Sequence, residues 1–349
     1  MQGAKSLMSI EEAIAAIRPL DDGAMREAAE RWDRLAKLPL SLGALETAVV
    51  RLAGMQHSSR PHIDKKRVLI FCADNGVLME GISPSAMEVT AAQAVNFARG
   101  GGTINAFARR CGADLLVVDV GIATDYHEPR VVKRVVRRGT RNIASGPAMS
   151  PEECRMAVET GIDLACQAVG EGIQLVIPGE MGIGNTTTSS AVASLLLDRP
   201  LEEVTAKGAG SLERVTHKVA VLRRAIALNR PDPADPLDIL TKVGGLDMAA
   251  LCGVFLGCAA SGTAVLLDGI ISSASALCAA RLAPGCRNYM LPSHCSSEPA
   301  GELLLNALGF TPLITAGMCL GEGTGAALGA QLLDSALAAY YEVVDLDAI

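Results

Sequence analysis

Arg67-Val-Leu-Ile-Phe-Cys-Ala-Asp74 is a run of six apolar residues closed by an acid. A half-exposed strand alternates apolar with polar residues, so an unbroken run describes a strand buried on both faces. Four other stretches have the same form: Leu115-Leu-Val-Val-Asp-Val-Gly121, Leu175-Val-Ile-Pro-Gly-Glu180, residues 263–269, and Tyr289-Met-Leu-Pro-Ser293. Long helical patterns separate them. Uniformly apolar strands alternating with helices predict an α/β fold, a doubly wound, mostly parallel, Rossmann-like sheet over residues 60–305. Such sheets bind ligands beyond the carboxyl ends of their strands, where this chain carries Asp74, Asp119, Glu180, Asp268 and Ser293-His294.

Residues 1–59 and 306–349 are helical in pattern and poor in strands, and they are expected to join as a small helical domain beside the large one. Residues 6–36 read as one amphipathic, charge-studded helical pattern, unlike a secretory leader. Ser150-Pro-Glu-Glu153 is a helix start, with a serine cap, proline in the first turn and glutamate in the capping-box position.

The chain has 349 residues, half of them apolar but only 3% aromatic, with 35 glycines, a composition suited to closely packed elements and tight turns. A net charge of -7, with both signs dispersed, offers no broad basic face, so nucleic acid is not an expected partner. Residues 248–267 hold no charge and are long enough to span a bilayer. Ser261-Gly262 divides them, however, and a buried helix over 246–260 feeding a buried strand accounts for the apolarity, so no membrane association is expected. The ten cysteines contain no CxxC pair and read as reduced thiols of a cytoplasmic protein. The histidines show no ligand spacing, and no metal is assigned.

Gly179-Glu-Met-Gly-Ile-Gly-Asn-Thr-Thr-Thr188 joins a strand to an Ala/Leu-rich helix predicted over 186–197. Its glycines let backbone N–H groups approach an anion, Asn185 or Thr186 can cap the helix, and the helix dipole favours a phosphate there. It is neither a Walker loop nor a dinucleotide fingerprint, and tight packing explains such a turn equally well. A second turn, Leu320-Gly-Glu-Gly-Thr-Gly-Ala-Ala-Leu328, sets Glu322 between glycines before a helix. Held against apolar neighbours such as Met318 and Leu320, Glu322 would be a desolvated acid suited to general-base work; the alternative is a glutamate merely favourable at a helix N-terminus. Glu180 poses the same question. Arg137, Arg138 and Arg141 belong to a basic strand or hairpin that is either solvated or near a nucleotide phosphate, and His294 is a candidate by its strand-end position alone.

Taken together, Cys72-Ala-Asp-Asn-Gly76, Glu88-Val-Thr90, Arg138-Gly-Thr-Arg-Asn-Ile-Ala144 with Gly146-Pro-Ala-Met149, residues 179–187, Gly244-Gly-Leu-Asp247, Asp268-Gly-Ile-Ile-Ser-Ser273, Ser293-His-Cys-Ser-Ser-Glu-Pro299 and Leu320-Gly-Glu-Gly-Thr-Gly-Ala-Ala327 resemble the nicotinate-nucleotide:dimethylbenzimidazole phosphoribosyltransferases. The matches run in order from about residue 67 to 328. The resemblance implies a parallel six-stranded sheet, a helical domain made from both chain ends, and transfer of phosphoribose from nicotinate mononucleotide to an aromatic base with inversion, without a cofactor. It implies Glu322 as the general base with Glu180 on the ribose side. Gly182, Ile183, Gly184, Asn185, Thr186 and Thr187 would hold the 5-phosphate together with Gly208 and Lys218, although the loop before Lys218 is one residue shorter than is usual. Ser83, Ser85, Met87, Glu88, Leu320 and Gly321 would meet the acceptor. The family's aromatic residue before Glu-Val-Thr is replaced in Pro84-Ser-Ala-Met87, and its Asp-His-Gly is Asp74-Asn-Gly76. Phenol or p-cresol is therefore an alternative acceptor, with a homodimer or a heterodimer of similar chains as the assembly. A catalytically idle nucleotide-binding paralogue is the third reading.

Overall fold

The computed structural model describes residues 7–207 and 212–349. Six strands form one sheet, all parallel: β1 (Lys66–Ala73), β2 (Ala113–Gly121), β3 (Val132–Lys133), β4 (Leu175–Met181), β5 (Ala264–Leu266) and β6 (Met290–Leu291). Their order is β3-β2-β1-β4-β5-β6, the doubly wound arrangement. Val68 to Ala73 are fully buried without interruption. Successive side chains of a strand point to opposite faces, so β1 is covered on both, as its composition predicts. Helix Leu246–Ala260 packs over β1, β2 and β4 and against Pro151–Gly170, while Thr324–Glu342 packs over β4 and β5 and against Thr103–Arg110.

Two of the expected strands are much shorter than their apolar runs: β5 keeps three residues and β6 two. The basic stretch supplies the short edge strand β3, parallel to β2, rather than a hairpin. Helix Pro151–Gly170 begins as read, with both hydrogen bonds of the Ser150/Glu153 capping box formed. The opening amphipathic pattern divides into Ile10–Ala16 and Asp22–Arg34, with Pro19 between them. At the chain ends, the Trp32 and Tyr340 rings meet edge to face 5.0 Å apart, and Leu35 bridges to Asp345. Among the described residues no helix is long and apolar enough to cross a membrane, and the uncharged stretch is the buried helix Leu246–Ala260 followed by β5.

The crossing of helix Leu246–Ala260 with Pro151–Gly170 depends on missing side chains. A Cβ added to Gly161 would lie 1.9 Å from the Ala250 carbonyl oxygen, and one added to Gly253 would lie 1.9 Å from that of Val158. Each glycine thus receives the other helix's backbone. Overpacking a dense interior costs about 1–3 kcal/mol, and here the obstacle is rigid backbone, so Gly253→Ala is expected to lie at or above the upper end. Urea unfolding would register this as a lower midpoint at unchanged slope.

Candidate active site

Chain connections reverse direction between β1 and β4, which opens a cleft beyond their carboxyl ends. A cavity of about 640 Å³ lies there, a volume suited to small-molecule ligands. Its walls include Ser83, Ser85, Gln93, Glu180, residues 182–186, Asp268, Leu320, Gly321 and Glu322, so the two glycine turns singled out in the sequence share one site.

The first turn leaves β4 and enters helix Asn185–Leu197. Gly184 caps the helix at φ +98°, in the left-handed region that favours glycine. Gly182 lies so close to β1 that a Cβ would fall 2.3 Å from the Ala73 carbonyl oxygen. The Ile183 N–H donates to Thr90 Oγ1 at 3.1 Å. Neither Asn185 nor Thr186 caps the helix, in contrast to the expectation from sequence. The Asn185 side chain turns back instead, its Nδ2 donating to Glu180 Oε2 and, at 2.9 Å, to Asp247 Oδ2. Lys218 is buried, and its Nζ donates to Thr186 Oγ1 at 3.1 Å and to the carbonyls of Ala206 and Lys207. Burial pushes its pKa down. The lysine thus stands behind the loop's first helical turn, adding positive charge where the helix dipole already favours an anion.

The second turn fills a notch in the sheet. β5 pairs with β4 only at Leu175 and Val176, so β4 runs on past its neighbour. Pro178 falls in that unpaired length, where its missing N–H costs no ladder bond on the β5 side. Gly321, Glu322 and Gly323 wind through the notch at φ +84°, +62° and +87°. A Cβ on Gly179 would strike the Glu322 carbonyl oxygen at 2.6 Å, so only glycine in β4 admits the turn. For a glutamate, left-handed backbone is strained by about 1 kcal/mol or more, a cost seen most often at functional positions. Two buried acids hold it: Asp268 accepts from the Gly323 and Ala326 N–H groups at 3.1 and 3.0 Å, and Glu180 Oε1 accepts from the Glu322 N–H at 3.3 Å.

These acids crowd a dry rim. Burial, reinforced by the charge of Asp247, pushes Glu180 up to about 8 against the opposing hydrogen bond from Asn185. Burial likewise raises Asp247, to about 6, opposed by Asn185 and backbone N–H groups. Glu322 is raised by burial and opposed by the Ile104 N–H, at the start of helix Thr103–Arg110. Its Oε2 is buried and has no hydrogen-bond partner among the described residues. Leu320 does not desolvate it as the sequence suggested, being 55% exposed at the cavity mouth; the turn's descent into the notch does.

Several residues read from sequence fall elsewhere. Met87 and Glu88 open helix Glu88–Ala98 outside the cavity wall, Glu88 exposed, because the chain has turned away after Ser85. Thr187 lies wholly buried behind the loop. Arg137 and Arg141 pair with Glu153, and Arg138 with Asp125, so none reaches the cleft. His294 is buried under the start of helix Thr324–Glu342, where a Cβ on Gly325 would lie 1.9 Å from its Nδ1. Gly208 lies outside the described residues. Missed from sequence were the Asn185–Asp247 contact and the clamp by Asp268, both of which join segments remote along the chain, and Gln93, which no local pattern distinguishes. Since Glu180 binds its proton more tightly folded than unfolded, its stabilising contribution is complete below about 4.5 and fades as pH rises through about 8. Wild type should therefore lose stability relative to Glu180→Gln by roughly 1 kcal/mol per unit between pH 6 and 8 in urea titrations; parallel curves would exclude the raised acid.

The chain and its fold have known relatives. A family model described as phosphoribosyltransferase matches residues 17–348. A nicotinate-nucleotide–dimethylbenzimidazole phosphoribosyltransferase from Ruminiclostridium cellulolyticum is 45% identical over 337 residues, covering 96% of each chain. One from Acetivibrio thermocellus is 47% identical over 311 residues, 89% of each. The crystal structure of such a phosphoribosyltransferase from Thermus thermophilus is similar with a TM-score of 0.88 at 38% identity, covering 94% of this chain and 98% of that one. With the family matched over nearly its whole length and the fold shared, the chain belongs to the nicotinate-nucleotide:dimethylbenzimidazole phosphoribosyltransferase family.

Proposed function

We propose that the chain transfers the 5-phosphoribosyl group of nicotinate mononucleotide to 5,6-dimethylbenzimidazole or a related azole, yielding nicotinate and an α-ribotide for cobamide synthesis. The observation that carries this reading is the meeting, in one cavity, of an anion-favouring helix start at 182–186 with the buried, unpartnered carboxylate oxygen of Glu322. The relatives' names point to the same reaction.

On this reading the loop and Lys218 hold the 5-phosphate, and the base lies against Glu322 with its ring nitrogen facing ribose C1. That nitrogen forms the new bond to C1 while the old C1–nitrogen bond breaks, its electron pair leaving with nicotinate. The acceptor's proton passes to Glu322. Because the pyridinium leaving group is already positively charged, positioning and one base suffice, and carboxylates near C1 favour the positive charge that develops there. Glu180, protonated at neutral pH, presents an O–H donor toward the ribose. Ser83, Ser85 and Gln93 offer the acceptor polar contacts, and the cavity wall contains no aromatic ring among the described residues. The ten cysteines are all free, in keeping with a reducing cytoplasm. Leu38, Leu40, Val344 and Leu346 expose apolar area near the chain ends, which suits burial against a second similar chain.

Incubating the protein with nicotinate mononucleotide and a panel of dimethylbenzimidazole, benzimidazole, phenol and p-cresol tests the reading by chromatography. Azole ribotide with stoichiometric nicotinate is expected; phenolic products alone would give the family's other acceptor class, and no turnover would leave an idle paralogue. Glu322→Gln should lower kcat at least about a hundredfold with nucleotide affinity retained. Near-normal turnover would remove Glu322 from the base role.

A further inference from the structure

We propose that Asp247 is a positioning residue of this site, acting through Asn185 to orient Glu180 and through its own negative charge to keep Glu180 in its proton-donating form. The proposal rests on the phosphoribosyl-transfer reading and deepens it. Asn185 Nδ2 carries two hydrogens, and they are divided between Glu180 Oε2 and Asp247 Oδ2. One amide therefore joins two carboxyl groups that are remote in sequence, the first at the end of β4 and the second in the first turn of helix Leu246–Ala260. Both are at least nine-tenths buried, as is Asn185.

The pair is not symmetrical. Asp247 sits at a helix N-terminus, where the dipole and nearby N–H groups favour a carboxylate. Glu180 lies in the cavity wall, where a donated proton has somewhere to go. Its two oxygens already accept from Asn185 and from the Glu322 N–H, so the carboxyl group is fixed in plane before any ligand arrives. The other groups facing it bring no positive charge: Asp268 beyond β5, the backbone N–H of Glu322 in the turn, and the neutral Cys72 thiol on β1, with Asp74 facing Asp247 from behind. Lys218 is committed to Thr186 and two backbone carbonyls. With like charges on more than one side, the arrangement retains one proton, and burial with the Asp247 charge assigns it to Glu180 against the opposing Asn185 donor.

Two variants move Glu180 in opposite directions. Asp247→Asn keeps an acceptor for Asn185 but removes the like charge, so Glu180 should lose its proton at lower pH. Asn185→Ser removes a donor that favours the Glu180 carboxylate, so the proton should be held to higher pH. The experiment is kcat/KM for nicotinate mononucleotide from pH 5.5 to 9.5, in ~0.5-unit steps, at saturating dimethylbenzimidazole, with titrations of the substrates themselves common to all proteins. The alkaline limb is expected to fall by about one pH unit or more in Asp247→Asn and to rise in Asn185→Ser. A uniform loss of activity with unshifted limbs in both variants would mean a merely structural role and would overturn the proposal. Should Asp247→Asn fail to fold, the direction of the Asn185→Ser shift decides alone. Wild-type turnover reports separately on the reaction; if it is absent, the pH dependence of nicotinate mononucleotide binding, measured by calorimetry on the same proteins, carries the comparison.

Discussion

A carboxylate removed from water loses several kcal/mol of hydration unless donors replace it, and this site gathers Glu180, Asp247, Asp268 and Glu322 at one rim. Each receives a different remedy. Asp268 takes two backbone N–H groups from a helix start, Asp247 lies in the first turn of another, Asn185 is shared between Glu180 and Asp247, and Glu180 keeps its proton. Asp247 and Glu322 each retain a buried oxygen without a donor among the described residues, and of the two only Glu322 lines the cavity. The unsatisfied oxygen that faces the cavity thus belongs to the acid that the proposed reaction assigns as proton acceptor.

The sheet makes this possible by ending unevenly. Had β5 continued alongside β4, the ladder would have occupied the space that residues 321–323 now take. Its early end, together with Pro178 and Gly179 in β4, leaves a gap that the turn fills, with the Gly323 N–H held by Asp268. The strain in Glu322 is thus carried by a framework of backbone contacts around it. A rigid support of this kind is what the proposed proton acceptor needs, since general-base transfer tolerates displacements of only about half an ångström.

Strand identity was legible because burial on both faces writes itself into composition: the apolar runs at 67–74, 115–121 and 175–180 need no partner to be recognised. Strand length was not, since β5 and β6 end where a neighbour stops rather than where the apolar residues do. Glu180, Glu322 and the 182–186 loop were readable because glycines framing a polar residue signal unusual backbone locally. Asn185 was misread as a cap for the converse reason. Its partner Asp247 is 62 residues away, and only the packing of helix Leu246–Ala260 over β1 and β4 brings the two together. Met87 and Glu88 were expected at the acceptor from the family resemblance of their stretch, yet neither lines the cavity where helix Glu88–Ala98 begins.

The same physics bears on acceptor choice. In a cavity with no aromatic ring among its described wall residues, a methyl group more or less on the base changes van der Waals packing and hydrophobic burial, which discriminate by only about 1–3 kcal/mol. A proton requirement discriminates far more steeply. If Glu322 must accept a proton for the new bond to form, an acceptor that lacks one both loses the hydrogen bond and leaves the acid facing it unpaired, a combination that reaches four or five orders of magnitude in comparable sites. Selection at this site should then depend on whether the flat acceptor has an acidic N–H or O–H at the right edge, and only weakly on the substituents it carries elsewhere. Azoles and phenols share that feature, so on the proposed reading the division between them falls to the polar side chains that share the cavity with Glu322, Ser83, Ser85 and Gln93.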